Sequence, residues 1–338
     1  MVIIIWRGPG RGTESAVESL ITGLRRYNVD FMDVSSVADK FFKDQPDKIY
    51  RLEKFSPDLI HTHSINFCIN ALKKPLYVPT VLTVHGYMFR ILEPKKRIAG
   101  FIRDSFFSAD AIIAPSIELK NQIKKEGFDN VFYIPNMIDP NKFTPELAEY
   151  TGILEEIRKD LKISEKDTVV ASVGNMHWYK GVDTFLEAGK ILQKSVDNLK
   201  LLWIGKDMGW TRLSKFLEPV KDIFKLVEIR DYNLMPFVYH LIDVYCHFSR
   251  WDACSMSFLE AMSSGIPVVH TPVGEHSRVN LCTGRTPEEL AELVLKCIDR
   301  KSVYGRLFRE EVLKRYSIDA VMPRVLRLYM NLIEDPFY

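Results

Sequence analysis

Two carboxylates eight positions apart, Asp252 and Glu260, mark the stretch "SRWDACSMSFLEAMSSGIPVV" as a place where chemistry could be done. Asp252 follows the strand-like run "VYCHFS" and so falls in a loop. Glu260 falls inside a helical pattern from Ser255 to Ser264, on a mostly apolar face between Leu259 and Ala261. A carboxylate in apolar surroundings is costly unless it is hydrogen-bonded, and the paired hydroxyls of a sugar are suitable donors. Lys180, in "SVGNMHWYKG", stands beside Gly181 at a helix start. A cation there opposes the helix dipole unless an anion is bound, so it reads either as a phosphate contact or as a solvated lysine.

Two further loops carry candidate residues. "RGPGRGTE" places Gly10 and Gly12 between a strand and a helix, where bare backbone can approach a phosphate. Its spacing is GxGxG, with Thr13 where a dinucleotide fingerprint has its third glycine, and Asp33 closes the next strand. A phosphate-facing loop, a plain tight turn and a nicotinamide dinucleotide site are therefore all open readings. His85, followed by Gly86 at the tip of "VLTVHG", is placed to touch a ligand. His61 and His63 lie i, i+2 on a strand and point the same way, but no neighbouring Cys or carboxylate completes a metal set, so a hydrogen-bonded structural role is the plainer reading. The chain contains no Asp-x-Asp pair for a divalent ion, and no metal or other cofactor is expected.

The elements that must position these residues are short apolar runs alternating with amphipathic stretches. "VIIIW", "VDFMDV", "DLIHTH", "VLTVHG", "AIIAPS" and "VFYIPN" predict strands, with helices over "TESAVESLITGLRRY" and "SIELKNQIKKEGF". After the connector "IPNMIDPNKFTPEL" the series restarts with "VVASVG", "LKLLWIG", "KLVEIR", "VYCHFS" and "IPVVH". From residue 286 the pattern is helical to the end. This predicts an α/β chain of two doubly wound halves with a helical tail, and ligands belong at the carboxyl ends of such strands.

Composition bounds the function. A chain of 338 residues is large enough for two domains. Its 46 Lys and Arg nearly balance 44 Asp and Glu, which argues against nucleic acid as a partner. Five scattered cysteines without a CxxC pair suit reduced core thiols and a cytoplasmic location. The opening "MVIIIW" is too short for a signal peptide or a membrane span. Residues 93–107, "EPKKRIAGFIRDSFF", interleave basic and apolar side chains, so they predict either peripheral contact with an anionic membrane or a helix packed on its own sheet.

In order and spacing these motifs resemble the retaining nucleotide-sugar glycosyltransferases of the GT-B fold, whose mark is Glu, seven residues, Glu-Ala-Met and a Gly-x-Pro-Val-Val strand. In this chain the mark reads Asp252, seven residues, Glu260-Ala-Met and "GIPVV". "GRGTES", "VPTVLTVHG", "ADAIIAPSIELKNQI", "VFYIPNMIDPNKFTP", "GNMHWYKGVDTFLEA" and "LLWIGKD" extend the similarity over nearly the whole chain. The resemblance implies two Rossmann-like domains facing a central cleft, over residues 1–145 and 146–316, with residues 317–338 crossing back to the N-terminal domain.

It also implies transfer of a hexosyl group from a nucleoside diphosphate sugar to an acceptor hydroxyl, on a glycan, a lipid-linked or a small molecule, without a metal. Glu260 would hold the ribose hydroxyls and Asp252 a donor-sugar hydroxyl. Lys180, Gly10 and Gly12 would meet the diphosphate, with helix-start amides from Ser255 and Met256. Arg230, Asp231 and Tyr232 would lie by the base, and His85 would approach the reacting sugar. The chain departs from the family at Asp252, which is Glu elsewhere, and at Asn175, which replaces an arginine of the diphosphate site. The segment after Gly274 also lacks most of the usual acidic loop. The competing readings are a silent sugar-nucleotide-binding protein and a nicotinamide-dependent dehydrogenase.

Overall fold

The computed structural model describes residues 1–6, 11–33, 56–63, 78–86, 103–209 and 213–334. They fall into two compact units, Met1–Met137 with Ile318–Tyr338, and Ile138–Ser317. Gly10 and residues 93–102 of the basic, apolar stretch lie outside the described residues.

The first unit is built on strands β1 (Val2–Trp6), β2 (Asp30–Asp33), β3 (Leu59–Thr62), β4 (Thr80–Thr83), β5 (Ala111–Ala114) and β6 (Val131–Tyr133). They pair in parallel in the order β2-β1-β3-β4-β5-β6. A parallel sheet is covered on both faces, so its strands are apolar on successive residues. Ile3, Ile4 and Ile5 of β1 accordingly have no exposed surface. The order reverses between β1 and β3, which makes their carboxyl ends the place for a ligand.

Helix α1 (Arg11–Arg26) follows β1 and contains Gly12 in its first turn. Its residues Val17, Leu20, Ile21 and Leu24 recur at helical spacing and are buried. Against them packs the C-terminal helix Ile318–Glu334 through Ile318, Val321, Met322 and Val325. Each such side chain contributes roughly 1.5 to 3 kcal/mol by leaving water. A surface pair, Arg26 to Asp319 at 3.0 Å, and a bond from Arg324 to the Tyr133 carbonyl at 2.5 Å complete the docking. The chain therefore closes by returning its last helix to the unit in which it began. The shorter helix α2 (Ile117–Lys125) is capped by the Ser116 hydroxyl, which accepts from the Leu119 amide.

The second unit repeats the plan with β7 (Thr168–Val173), β8 (Leu199–Ile204), β9 (Phe224–Val227), β10 (Val244–His247) and β11 (Val268–His270), ordered β11-β10-β7-β8-β9 and parallel throughout. Here the order reverses between β7 and β10. The helices that matter to the site are α3 (Val182–Leu192), α4 (Met235–Tyr239) and α5 (Met256–Ser263). Behind the sheet, α6 (Pro287–Asp299) opens on a capping box between Thr286 and Glu289, and α7 (Lys301–Arg315) follows. Arg309 of α7 donates to the carbonyls of Pro140 at 3.0 Å and Phe143 at 2.8 Å and to Ser263 Oγ at 2.8 Å. That fork fastens the incoming segment to the end of α5.

Candidate functional site

The loops after β7 and β10 leave the sheet side by side at its switch point and are laced together. Gly181 adopts φ +72°, and a Cβ there would stand 2.0 Å from the Phe248 carbonyl oxygen. Only glycine permits that approach. The Arg250 amide donates to the Tyr179 carbonyl at 2.8 Å, and the Tyr179 and Trp251 rings stack with centroids 5.5 Å apart. Arg250 then forks onto both oxygens of Asp183 at 2.8 Å and onto the Trp178 carbonyl at 2.7 Å. A bidentate guanidinium–carboxylate pair fixes direction as well as distance.

This lacing brings Lys180 and Asp252 together. Lys180 ends the 3-10 turn Trp178–Lys180, just before α3, and its Nζ lies 2.5 Å from Asp252 Oδ2. His247 Nε2 lies 3.4 Å from the same oxygen. Burial pushes the Asp252 carboxyl up, but Lys180 and His247 outweigh it and hold the group ionised far below the usual carboxylate range. The loop itself is pinned from below by Gly274, at φ +50°, where a Cβ would stand 1.8 Å from the Asp252 carbonyl oxygen.

Helix α5 begins at Met256, with Ser255 as an extended N-cap. The Ser255 amide donates to His276 Nε2 at 3.0 Å, so that amide is engaged within the protein. A neutral His276 must then carry its proton on Nδ1. Burial, reinforced by neighbouring His247, keeps His276 well below its ordinary pKa. The Ser257 hydroxyl meets Tyr245 Oη at 2.8 Å and donates to the Val173 carbonyl at 3.2 Å, which ties the helix start to the end of β7.

One turn further on, Glu260 is 1% exposed. Its Oε2 accepts from the Tyr239 hydroxyl at 2.8 Å, and its Oε1 accepts from Tyr232. Tyr232 opens a 3-10 turn whose N-cap is Asp231, through a bond from the Asn233 amide to Asp231 Oδ1 at 2.9 Å. Arg230, Asp231 and Asn175 are exposed. Among the expected residues, then, Lys180 meets Asp252 and Tyr232 meets Glu260.

In the first unit, His85 Nε2 and His63 Nδ1 share a proton at 2.6 Å, with the rings stacked. His61 is satisfied by Tyr329 Oη at 2.5 Å and by Thr83 Oγ1 at 2.7 Å, the hydrogen-bonded role expected of it. Burial lowers His85 to about 4 and His61 to about 3. All three line a small open cleft at the ends of β3 and β4, with Asn136 and Pro135 on its wall. Among the described residues no group of three or more His, Cys, Asp or Glu is placed to hold a metal ion.

Sequence reasoning did not single out Asp183, Tyr239, His247 or His276. Asp183 was signalled by its Lys-Gly-x-Asp setting. Tyr239 and His247 sit in runs that read as ordinary core, and His276 in the polar segment after Gly274.

Two doubly wound parallel units, each with a switch point in its sheet, have the architecture implied by the resemblance to glycosyltransferases of the GT-B type. Two family models match the chain in succession, Glycosyltransferase Family 4 over residues 2–142 and Glycosyl transferases group 1 over residues 154–301. The chain belongs to these GT-B glycosyltransferases. It is similar to N-acetyl-alpha-D-glucosaminyl L-malate synthase of Bacillus anthracis, 20% identical over 82% of this chain and 76% of that protein. It is 26% identical to an uncharacterized glycosyltransferase of Methanocaldococcus jannaschii, over 83% of this chain and 77% of that one. Among solved structures, HepE of Anabaena in complex with UDP-glucose matches with a TM-score of 0.74 at 15% identity, covering 98% of this chain and 100% of its own.

Proposed function

We propose that the enzyme moves a hexosyl group from a nucleoside diphosphate sugar to an acceptor hydroxyl, with retention at the anomeric carbon and without a metal. The observation that carries this reading is the Lys180–Asp252 pair at the β7/β10 switch point, one loop away from buried Glu260. The presence of UDP-glucose in the HepE structure supports a donor of this class.

In the reaction the bond from the anomeric carbon to the diphosphate oxygen breaks and its electron pair leaves with the diphosphate. The acceptor oxygen then bonds to the same face of that carbon, and its proton is released. Negative charge therefore grows on the leaving group, and a preorganised cation stabilises it most in the transition state. Lys180 takes that role. Asp252, kept ionised, accepts from a hydroxyl of the donor sugar. Glu260 accepts from the ribose, and the exposed Arg230 and Asp231 flank the base. In the first unit, His63 fixes the orientation of the His85 ring. Asp252 is given no role as a covalent nucleophile.

Binding of UDP-, GDP- and ADP-hexoses to the native protein and to Glu260→Gln tests the donor site. The variant is expected to weaken the preferred donor about tenfold to a hundredfold, the scale of hydrogen bonds to a charged group. An unchanged Kd would remove Glu260 from the site.

A further inference from the structure

The two phenols on Glu260 differ in how firmly they are held. Tyr239 has no exposed surface, and its ring packs edge-on against Phe143 and Tyr245. Burial and the Glu260 charge push its ionisation well above the ordinary tyrosine value, so its hydroxyl stays a donor. Tyr232 is half-buried and belongs to the three-residue 3-10 turn Tyr232–Leu234, whose other residues and Asp231 cap are exposed. One carboxylate oxygen is thus gripped by the core and the other by a surface turn.

A carboxylate that is 1% exposed needs donors whether or not a ligand is present. We propose that the Tyr232 hydroxyl occupies the position of a ribose hydroxyl and is exchanged for it when the nucleotide binds, while Tyr239 stays and fixes the carboxylate plane. Tyr232 is then a specificity-determining residue and Tyr239 a positioning residue. The inference rests on the reading that Glu260 receives the ribose. Its physical content is that one hydroxyl replaces another on Oε1, so the free energy gained from the ribose is reduced by that of the bond given up. The same exchange keeps the buried charge hydrogen-bonded between turnovers.

Titration calorimetry with UDP, 2′-deoxy-UDP and 3′-deoxy-UDP, on the native chain and on Tyr232→Phe, tests this, with GDP or ADP and their deoxy forms used if one of those binds more tightly. Tyr232→Phe is expected to bind the ribonucleotide about threefold more tightly or better, because no hydroxyl has to be displaced. Loss of the relevant ribose hydroxyl is expected to cost about fivefold more in Tyr232→Phe than in the native chain, since in the native chain Tyr232 returns to Glu260 when the ligand hydroxyl is missing. A purely structural tyrosine gives no such coupling, and an equal cost in both proteins would overturn the exchange. No cost in either protein would instead overturn the ribose role of Glu260, and the exchange with it.

Discussion

Lys180 Nζ and Asp252 Oδ2 meet at 2.5 Å although 72 positions separate the two residues. The contact joins the loop after β7 to the loop after β10, the two strands at which the second sheet reverses its order. The cation expected to face a diphosphate is therefore already fixed in direction by a carboxylate that is itself expected to hold the donor sugar.

Removing that cation should slow turnover more than it weakens binding, because the charge it meets grows toward the transition state. Lys180→Ala is expected to lower kcat about a hundredfold or more, the effect of losing one preorganised donor. Asn175→Ala, which removes only neutral donors, should do much less. Steady-state kinetics on both variants decide it. Near-normal kcat in Lys180→Ala would assign the leaving group to another cation. Arg250 is poorly suited to replace it, since both its terminal nitrogens are engaged by Asp183 and the Trp178 carbonyl.

Gly274 supports Asp252 through backbone alone. At φ +50°, with a prospective Cβ 1.8 Å from the Asp252 carbonyl oxygen, Gly274→Ala combines an unfavourable conformation with a backbone clash. The variant is expected to lose about 2 kcal/mol or more of stability and to lose activity along with it. Denaturant unfolding of Gly274→Ala measures the effect, and wild-type stability would show that the Asp252 loop is not held there.

Acid should destabilise the protein well before its carboxylates titrate. His61 is lowered from 6.5 to about 3, chiefly by burial, and His85 and His270 from 6.5 to about 4 for the same reason. Because the folded values are depressed, the unfolded chain binds more protons below pH 6.5, and stability falls as pH falls from there through about 4. Each buried histidine adds a slope of about 1.4 kcal/mol per pH unit within that window. Urea midpoints at half-unit pH steps should decline from just below pH 6.5, and a flat profile down to pH 5 would contradict neutral burial of these rings.

Much of this was legible in the sequence, for physical reasons. Strands buried on both faces have no period to hide, so "VIIIW" and "VVASVG" could be read directly. Glu260 was conspicuous because a carboxylate on an apolar helical face needs donors. The donors were not legible. Tyr239 and His247 lie in runs that fill a core, and nothing local distinguishes a ring that packs from one that also hydrogen-bonds. The Lys180–Asp252 pairing depends on which strands become neighbours, which periodicity does not encode. Boundaries moved slightly as well. The helix expected from Ser255 to Ser264 runs from Met256 to Ser263, because Ser255 takes an extended cap conformation at φ −70° and ψ 129°. Residues such as Gly10, expected at the diphosphate, lie outside the described residues.

Retaining transfer from a nucleoside diphosphate sugar is tested by following the anomeric proton by NMR. UDP-, GDP- and ADP-hexoses are incubated with the native protein, with water or added alcohols as acceptors, in the presence and absence of a chelator. One donor should be consumed, the first product should carry the donor's anomeric configuration, and the chelator should change neither rate nor product. An inverted first product, or a donor that binds and is never turned over, would contradict it.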